Sequence, residues 1–159
     1  MAETITETST VSFRAARSAD LPELVRMLAD DPLGSGREVL SDPLVPSYTE
    51  AFSAIDAEPD SELIVAVLAG APIGMLQITF IPSLSYQGRW RALIEGVRVL
   101  SSERSRGVGE AMLHWAIERA RSPDCVMVQL TTDKSRDDAL RFYERLGFVS
   151  SHHGMKLHL

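Results

Sequence analysis

The chain has 159 residues, 45% of them hydrophobic and 24% charged, which suits one domain with a core of its own. A formal net charge of −6 and a pI of about 5.2 argue against duplex nucleic acid as the main partner, because phosphate backbones need a basic surface. Cys125 is the single cysteine, so neither an intrachain disulfide nor a cysteine-rich metal site is expected.

The opening ten residues are polar and threonine-rich and read as a tail, with the domain spanning 11–159. They lack a basic stretch followed by an apolar one, so a signal peptide is not expected. No apolar run reaches the roughly 20 residues of a membrane span. A cytoplasmic protein without a membrane partner is the expectation.

Val11–Ala15 alternates and reads as a first strand. Asp20, with Pro22 and Glu23 after it, has the pattern of a helix start. Leu21, Leu24, Val25 and Leu28 then make an apolar stripe. Ser47 and Glu50 repeat the capping pattern before a second stripe of Tyr48, Ala51, Phe52 and Ile55. Glu62–Leu68 and Ile73–Ile81 flank the turn Ala69-Gly-Ala-Pro72 and read as a hairpin. Trp90–Leu100 is a third consecutive strand, and Val108–Arg121 an amphipathic helix. Cys125–Thr131 reads as a strand. Ser135 is the expected cap of a last helix with the stripe Ala139, Phe142, Tyr143 and Leu146, closed by Gly147. Val149–Leu159 is expected to hold one or two short terminal strands. The order predicts an α/β fold with a mixed sheet and helices on both faces. The strands on either side of the Val108–Arg121 helix should be parallel.

Chemistry concentrates between Ala92 and Ala111. Glu95 places a carboxylate in an apolar strand. Arg104, Arg106, Gly107 and Gly109 precede a helix start, where free N–H groups and the positive helix end suit a phosphate. A dinucleotide fingerprint fails because Met112 stands where Gly107-Val-Gly109 would need a third glycine. A P-loop fails because no Gly-Lys-Ser/Thr follows.

Two blocks carry a family resemblance. Arg104-Ser-Arg-Gly-Val-Gly109 fits the [RQ]-x-x-G-x-[GA] pyrophosphate motif of the GCN5-related N-acetyltransferases (GNAT), and Ala139-Leu-Arg-Phe-Tyr-Glu-Arg-Leu-Gly-Phe148 fits their A-x-x-F-Y-x-x-x-G-F signature. The chain resembles that family from about Val11 to Phe148. Leu130–Tyr143 with Ser151-His152 also looks like the end of bacterial aminoalkylphosphonate N-acetyltransferases. The resemblance implies a mostly antiparallel sheet of six to seven strands with about four helices, splayed between strands 4 and 5.

It further implies acetyl-CoA as co-substrate. Its pantetheine would bond the Val97, Arg98 and Val99 backbone, and its pyrophosphate would rest on Arg104, Ser105, Arg106, Gly107, Val108, Gly109 and Glu110. Asp133 stands where relatives often place a cofactor-contacting Asn. Tyr143 is the implied acid for the CoA thiolate, its alternative being a core aromatic. Glu95 is either the base, if burial raises its pKa, or an anchor for the substrate ammonium or a neighbouring arginine. Cys125, in an apolar run, argues against an acetyl-cysteine route.

The expected activity is direct N-acetylation of a small primary amine in a ternary complex. A non-catalytic acyl-CoA sensor and a protein acetyltransferase are the alternatives. The acceptor site is expected among 34–52, 82–91 and the terminal strands, with Tyr48, Tyr86, Trp90, Arg89 and Arg91 available. Adjacent His152 and His153 would point to opposite faces of a strand, so no metal ligands are assigned. A homodimer remains open.

Overall fold

The computed structural model describes residues 10–159; most of the expected tail lies outside them. A five-stranded sheet runs in chain order: β1 (Ser12–Ala15), β2 (Ser61–Leu68), β3 (Ala71–Pro82), β4 (Trp90–Val99) and β5 (Met127–Leu130). The first four strands are antiparallel neighbours, and β4 pairs β5 in parallel. Among the described residues five α-helices accompany it: α1 (Leu21–Ala29), α2 (Pro46–Ala57), the single turn α3 (Ser85–Gly88), α4 (Val108–Arg121) and α5 (Asp137–Arg145).

The pleat divides the apolar residues between two cores. Ile64, Ala66, Leu76, Ile78, Ala92 and Ile94 face α4, meeting Val108, Met112, Leu113 and Ala116. Val65, Val67 and Met75 face the other way, onto Leu24 and Met27 of α1, with Phe52 of α2 partly buried beside them. Alternation along β2 therefore decides which helix each side chain meets. Gly74 lets α4 lie close, since a Cβ there would stand 2.7 Å from Met112 Sδ and 3.1 Å from the Arg98 carbonyl.

The expected capping patterns place the helices but not their caps. Asp20 makes no side-chain cap bond to α1. Its carboxylate instead accepts from Arg17 N at 2.7 Å and from Arg14 at 2.7 and 3.0 Å, so it locks the turn that leads out of β1. Helix α2 starts at Pro46 after Val45, where proline's fixed φ and missing N–H suit a first turn.

Among the described residues the sheet has five strands rather than six to seven. Past Phe148, which packs on Tyr143 with ring centroids 5.9 Å apart, no strand forms. Val149, Met155, Leu157 and Leu159 are 80–117% exposed. Their alternation is interrupted by Ser150–Gly154, and a strand also needs a partner edge to pair with. No helix among the described residues is long and apolar enough to cross a membrane.

Candidate active site

β4 is the strand on which the site is built. Its pairing with β5 covers only Arg91–Ile94, from Arg91↔Met127 to Ile94↔Leu130. Beyond Ile94 the strand continues for five residues with no partner on that side. The sheet is splayed there, as expected. A bulge marks the same place: Gln77 pairs with Glu95 but Met75 pairs with Arg98, so Gly96 and Val97 together oppose Leu76. Gly96 takes φ +61, a conformation natural to glycine.

The bulge sets which face each β4 side chain meets. Ala92 and Ile94 enter the α4 core, and Val97 and Val99 pack against the same core. Glu95 and Arg98 are thereby left on the α1 and α2 face. The Val97 and Val99 carbonyls, which β5 does not reach, accept from Arg98 Nη1 at 2.8 Å and Arg104 Nε at 3.2 Å.

The loop after β4 carries the predicted cradle. A short 3-10 turn, Ser101–Glu103, is followed by Ser105 at φ +63 and Gly107 at φ +79. Gly107 is the N-cap of the 14-residue α4, with no side-chain cap bond, which leaves its first-turn N–H groups free of a capping side chain. The reason for Gly107 is backbone angle rather than room, since a Cβ there would meet nothing within 4 Å. Gly109 lies against Phe142, 3.5 Å from a Cβ placed there. Arg104 reaches Asp30 Oδ2 at 3.3 Å, and Arg106 reaches Glu103 at 3.2 Å.

Tyr143, on α5, packs against the α4 core, held edge-on to Phe142 with centroids 5.3 Å apart and to Phe148. Burial pushes its phenol pKa up, and the nearby Arg136 and Arg98 guanidiniums oppose that. Arg98 and Arg136 meet on one carboxylate oxygen, Asp31 Oδ2, at 3.1 and 3.2 Å. Asp31 is buried at 6% exposure. Three strand residues, the end of α1 and two loops thus converge on one cleft of about 200 Å³, whose lining includes Asp30, Asp31, Val97, Arg98, Arg104 and Arg136.

Other expected site residues stand differently. Glu95 is exposed, so the burial that the base reading needs is absent. It lies opposite Gln77, whose Nε2 donates to Ser61 Oγ at 3.2 Å. Asp133 serves the chain: its Oδ1 accepts from Ser135 N at 2.9 Å and Ser135 Oγ at 2.6 Å, shaping the turn into α5. Those bonds hold its carboxyl below the usual range. Arg89 is paired with Asp124 at 2.8 Å, away from the splay, and Trp90 packs against the α4 core. Tyr48 accepts from Val39 N at 3.0 Å and donates to Glu38 at 2.9 Å, so it fastens the loop before α2. Among the described residues no group of three or more His, Cys, Asp or Glu could hold a metal ion. The sequence reading missed Asp31 and Arg136. Arg98 carried the same visible signal as Glu95, a charge in an apolar strand.

A model of the acetyltransferase (GNAT) family matches residues 23–148. The chain belongs to the GNAT family. It is 30% identical over 106 residues, 67% of this chain and 68% of that protein, to an aminoalkylphosphonate N-acetyltransferase of Salmonella typhimurium. It is 30% identical over 144 residues, 85% of this chain and 95% of that protein, to a glucosamine 6-phosphate N-acetyltransferase of Trypanosoma brucei brucei. A crystal structure from Bacillus halodurans, described as a transcriptional regulator, shares 53% identity with a TM-score of 0.92, covering 94% of this chain and all of that one. This GNAT protein is an N-acetyltransferase. GNAT acetyltransferases take acetyl-CoA as co-substrate.

Proposed function

We propose that the protein transfers the acetyl group of acetyl-CoA directly to the primary amine of a small molecule. The observation that carries this reading is the continuity of the open half of β4 with the α4 N-terminus. Backbone at Val97–Val99 would take the pantetheine, and N–H groups from Arg104 to Glu110 would take the pyrophosphate. The amine nitrogen attacks the thioester carbonyl, the C–S bond breaks, and the Tyr143 phenol gives its proton to the CoA sulfur. On the way from ammonium to amide the nitrogen loses two protons, one to solvent before attack and a second that restores the Tyr143 phenol. Burial supports Tyr143 in this role by keeping the phenol protonated. Exposed Glu95, on the acceptor-facing side of β4, anchors the ammonium before attack.

Cys125 stays outside the reaction. Burial pushes its thiol pKa up, and it lies at the Trp90 end of β4, where Val126 N bonds the Trp90 carbonyl. An acetyl-cysteine route would need the opposite. Both curated relatives are named for amines that carry a phosphorus oxyanion, which supports a small-molecule acceptor over a protein one.

The description of the Bacillus halodurans relative as a transcriptional regulator favours one second reading, an acyl-CoA sensor without turnover. CoA release from acetyl-CoA with a panel of small amines separates the two. Turnover with at least one amine, lost in Tyr143→Phe, is the expected result. Tight acetyl-CoA binding with no CoA release from any amine would replace the enzyme with the sensor.

A further inference from the structure

Arg98 and Arg136 are not explained by the cofactor. The helix whose N-terminus suits the pyrophosphate, α4, packs on the sheet face that carries Val97 and Val99. Arg98 lies on the opposite face, tied to Asp31 at the end of α1. Its side chain is only 14% exposed, and its Nε is buried without a hydrogen-bond acceptor. Around it stand one carboxylate, Asp31, and two more guanidiniums, Arg136 and Arg37. Arg37 has its own weak partner, Glu38 at 3.8 Å. Arg98 and Arg136 share a single Asp31 oxygen, and Arg104 pairs with Asp30 in the same cleft, so three guanidiniums there face two carboxylates. Such an excess is costly alone and favourable when a second anion enters. Burial first, and then the neighbouring guanidiniums, pull the Arg98 pKa down against Asp31. Arg136 spends Nη1 on Asp31 and is 41% exposed, so a ligand can reach it.

We propose that Arg98 and Arg136 form an oxyanion subsite for the acceptor, so that the amine acetylated here carries a phosphoryl, phosphonate or carboxylate group away from its nitrogen. Planar guanidiniums suit each of these anions in a two-pronged contact. Both guanidiniums are near enough to Tyr143 to act on its phenol, and Arg98 lies on the same strand face as Glu95. An acceptor held there by its anion at Arg98 and Arg136 and by its ammonium at Glu95 spans the bulge at Gly96 and Val97. The inference rests on the acetyltransferase reading above.

The test uses three amines of similar length, 2-aminoethylphosphonate, β-alanine and propylamine, with CoA release as readout. The wild-type protein should favour at least one oxyanion-bearing amine over propylamine by about tenfold or more in kcat/KM, an order set by a charge-assisted contact. The phosphonate and β-alanine arms show which oxyanion it is. Arg136→Gln should erase that preference through the acceptor KM and leave the acetyl-CoA KM unmoved; Arg98→Lys, which keeps the buried charge, should weaken it in part. Equal use of propylamine by the wild type would overturn the subsite, as would a rise confined to the acetyl-CoA KM. Failure of all three amines would count against the acetyltransferase reading instead. Titration with methylphosphonate then judges the subsite alone: binding lost in Arg136→Gln upholds it, and binding absent or unaltered overturns it.

Discussion

Tyr143 illustrates how a residue's surroundings fix its chemistry. Its ring is held by Phe142 and Phe148, so removing the hydroxyl leaves the packing in place. Tyr143→Phe should lower kcat about 100-fold, the scale of a lost proton donor, with little change in acetyl-CoA KM or melting temperature. Because the phenol pKa is raised, its ionisation should not limit activity until above the ordinary tyrosine value of about 10. Asp20 is a structural counterpart. Arg14 holds its carboxyl below the usual range, with the Arg17 amide assisting against burial. A depressed folded pKa stabilises above the unfolded value near 4, and that stability is lost as pH falls through the folded value. Asp20→Asn should therefore cost about 2 kcal/mol at pH 7 and much less near pH 2, measured by urea unfolding at both. Glu95 was visible in the sequence because a charge in a strand is visible, but its exposure was not. Exposure depends on where the bulge turns the strand; Gly96 marks that place but does not say which neighbouring side chain turns outward.

At the scale of the element, the cradle makes a sharper claim than its motif. Gly107 and Gly109 look alike in the sequence and do different work. Gly107→Ala meets no atom within 4 Å but must hold φ +79 with a side chain, costing about 1–2 kcal/mol. Gly109→Ala makes an ordinary contact with Phe142 and is tolerated by the fold. Thermal unfolding should show a loss for the first and almost none for the second, while both raise the acetyl-CoA KM if phosphates rest on this turn. Helices α1, α4 and α5 and strands β2 to β4 were legible because periodicity records burial, and burial there is local to each element. The terminal strands were not. Met155, Leu157 and Leu159 alternate as a strand would, yet pairing depends on an edge supplied by another part of the chain. Asp31 and Arg136 escaped for the same reason: 105 residues apart in sequence, they gain meaning only once α1, β4 and the β5–α5 loop meet.

Over the whole molecule, one discontinuity organises the function. The sheet is fully paired from β1 through β4 and then loses its last partner halfway along β4. The backbone left open faces the cleft that also receives the residues just past α1, the cradle loop and the loop before α5. A ligand lying in that gap would complete the sheet, much as an added strand satisfies an exposed edge. The free protein should therefore be least protected where it works, because open backbone exchanges readily. Hydrogen exchange should find the amides of residues 96–99 faster than those of Ala92 and Ile94, which sit between two strands. Acetyl-CoA should slow the former and leave the latter unmoved. At a hundredfold excess over its dissociation constant it should also stabilise the protein by about 2.7 kcal/mol. Protection confined to the Arg104–Glu110 loop would place the ligand on the cradle alone and deny the open strand its role.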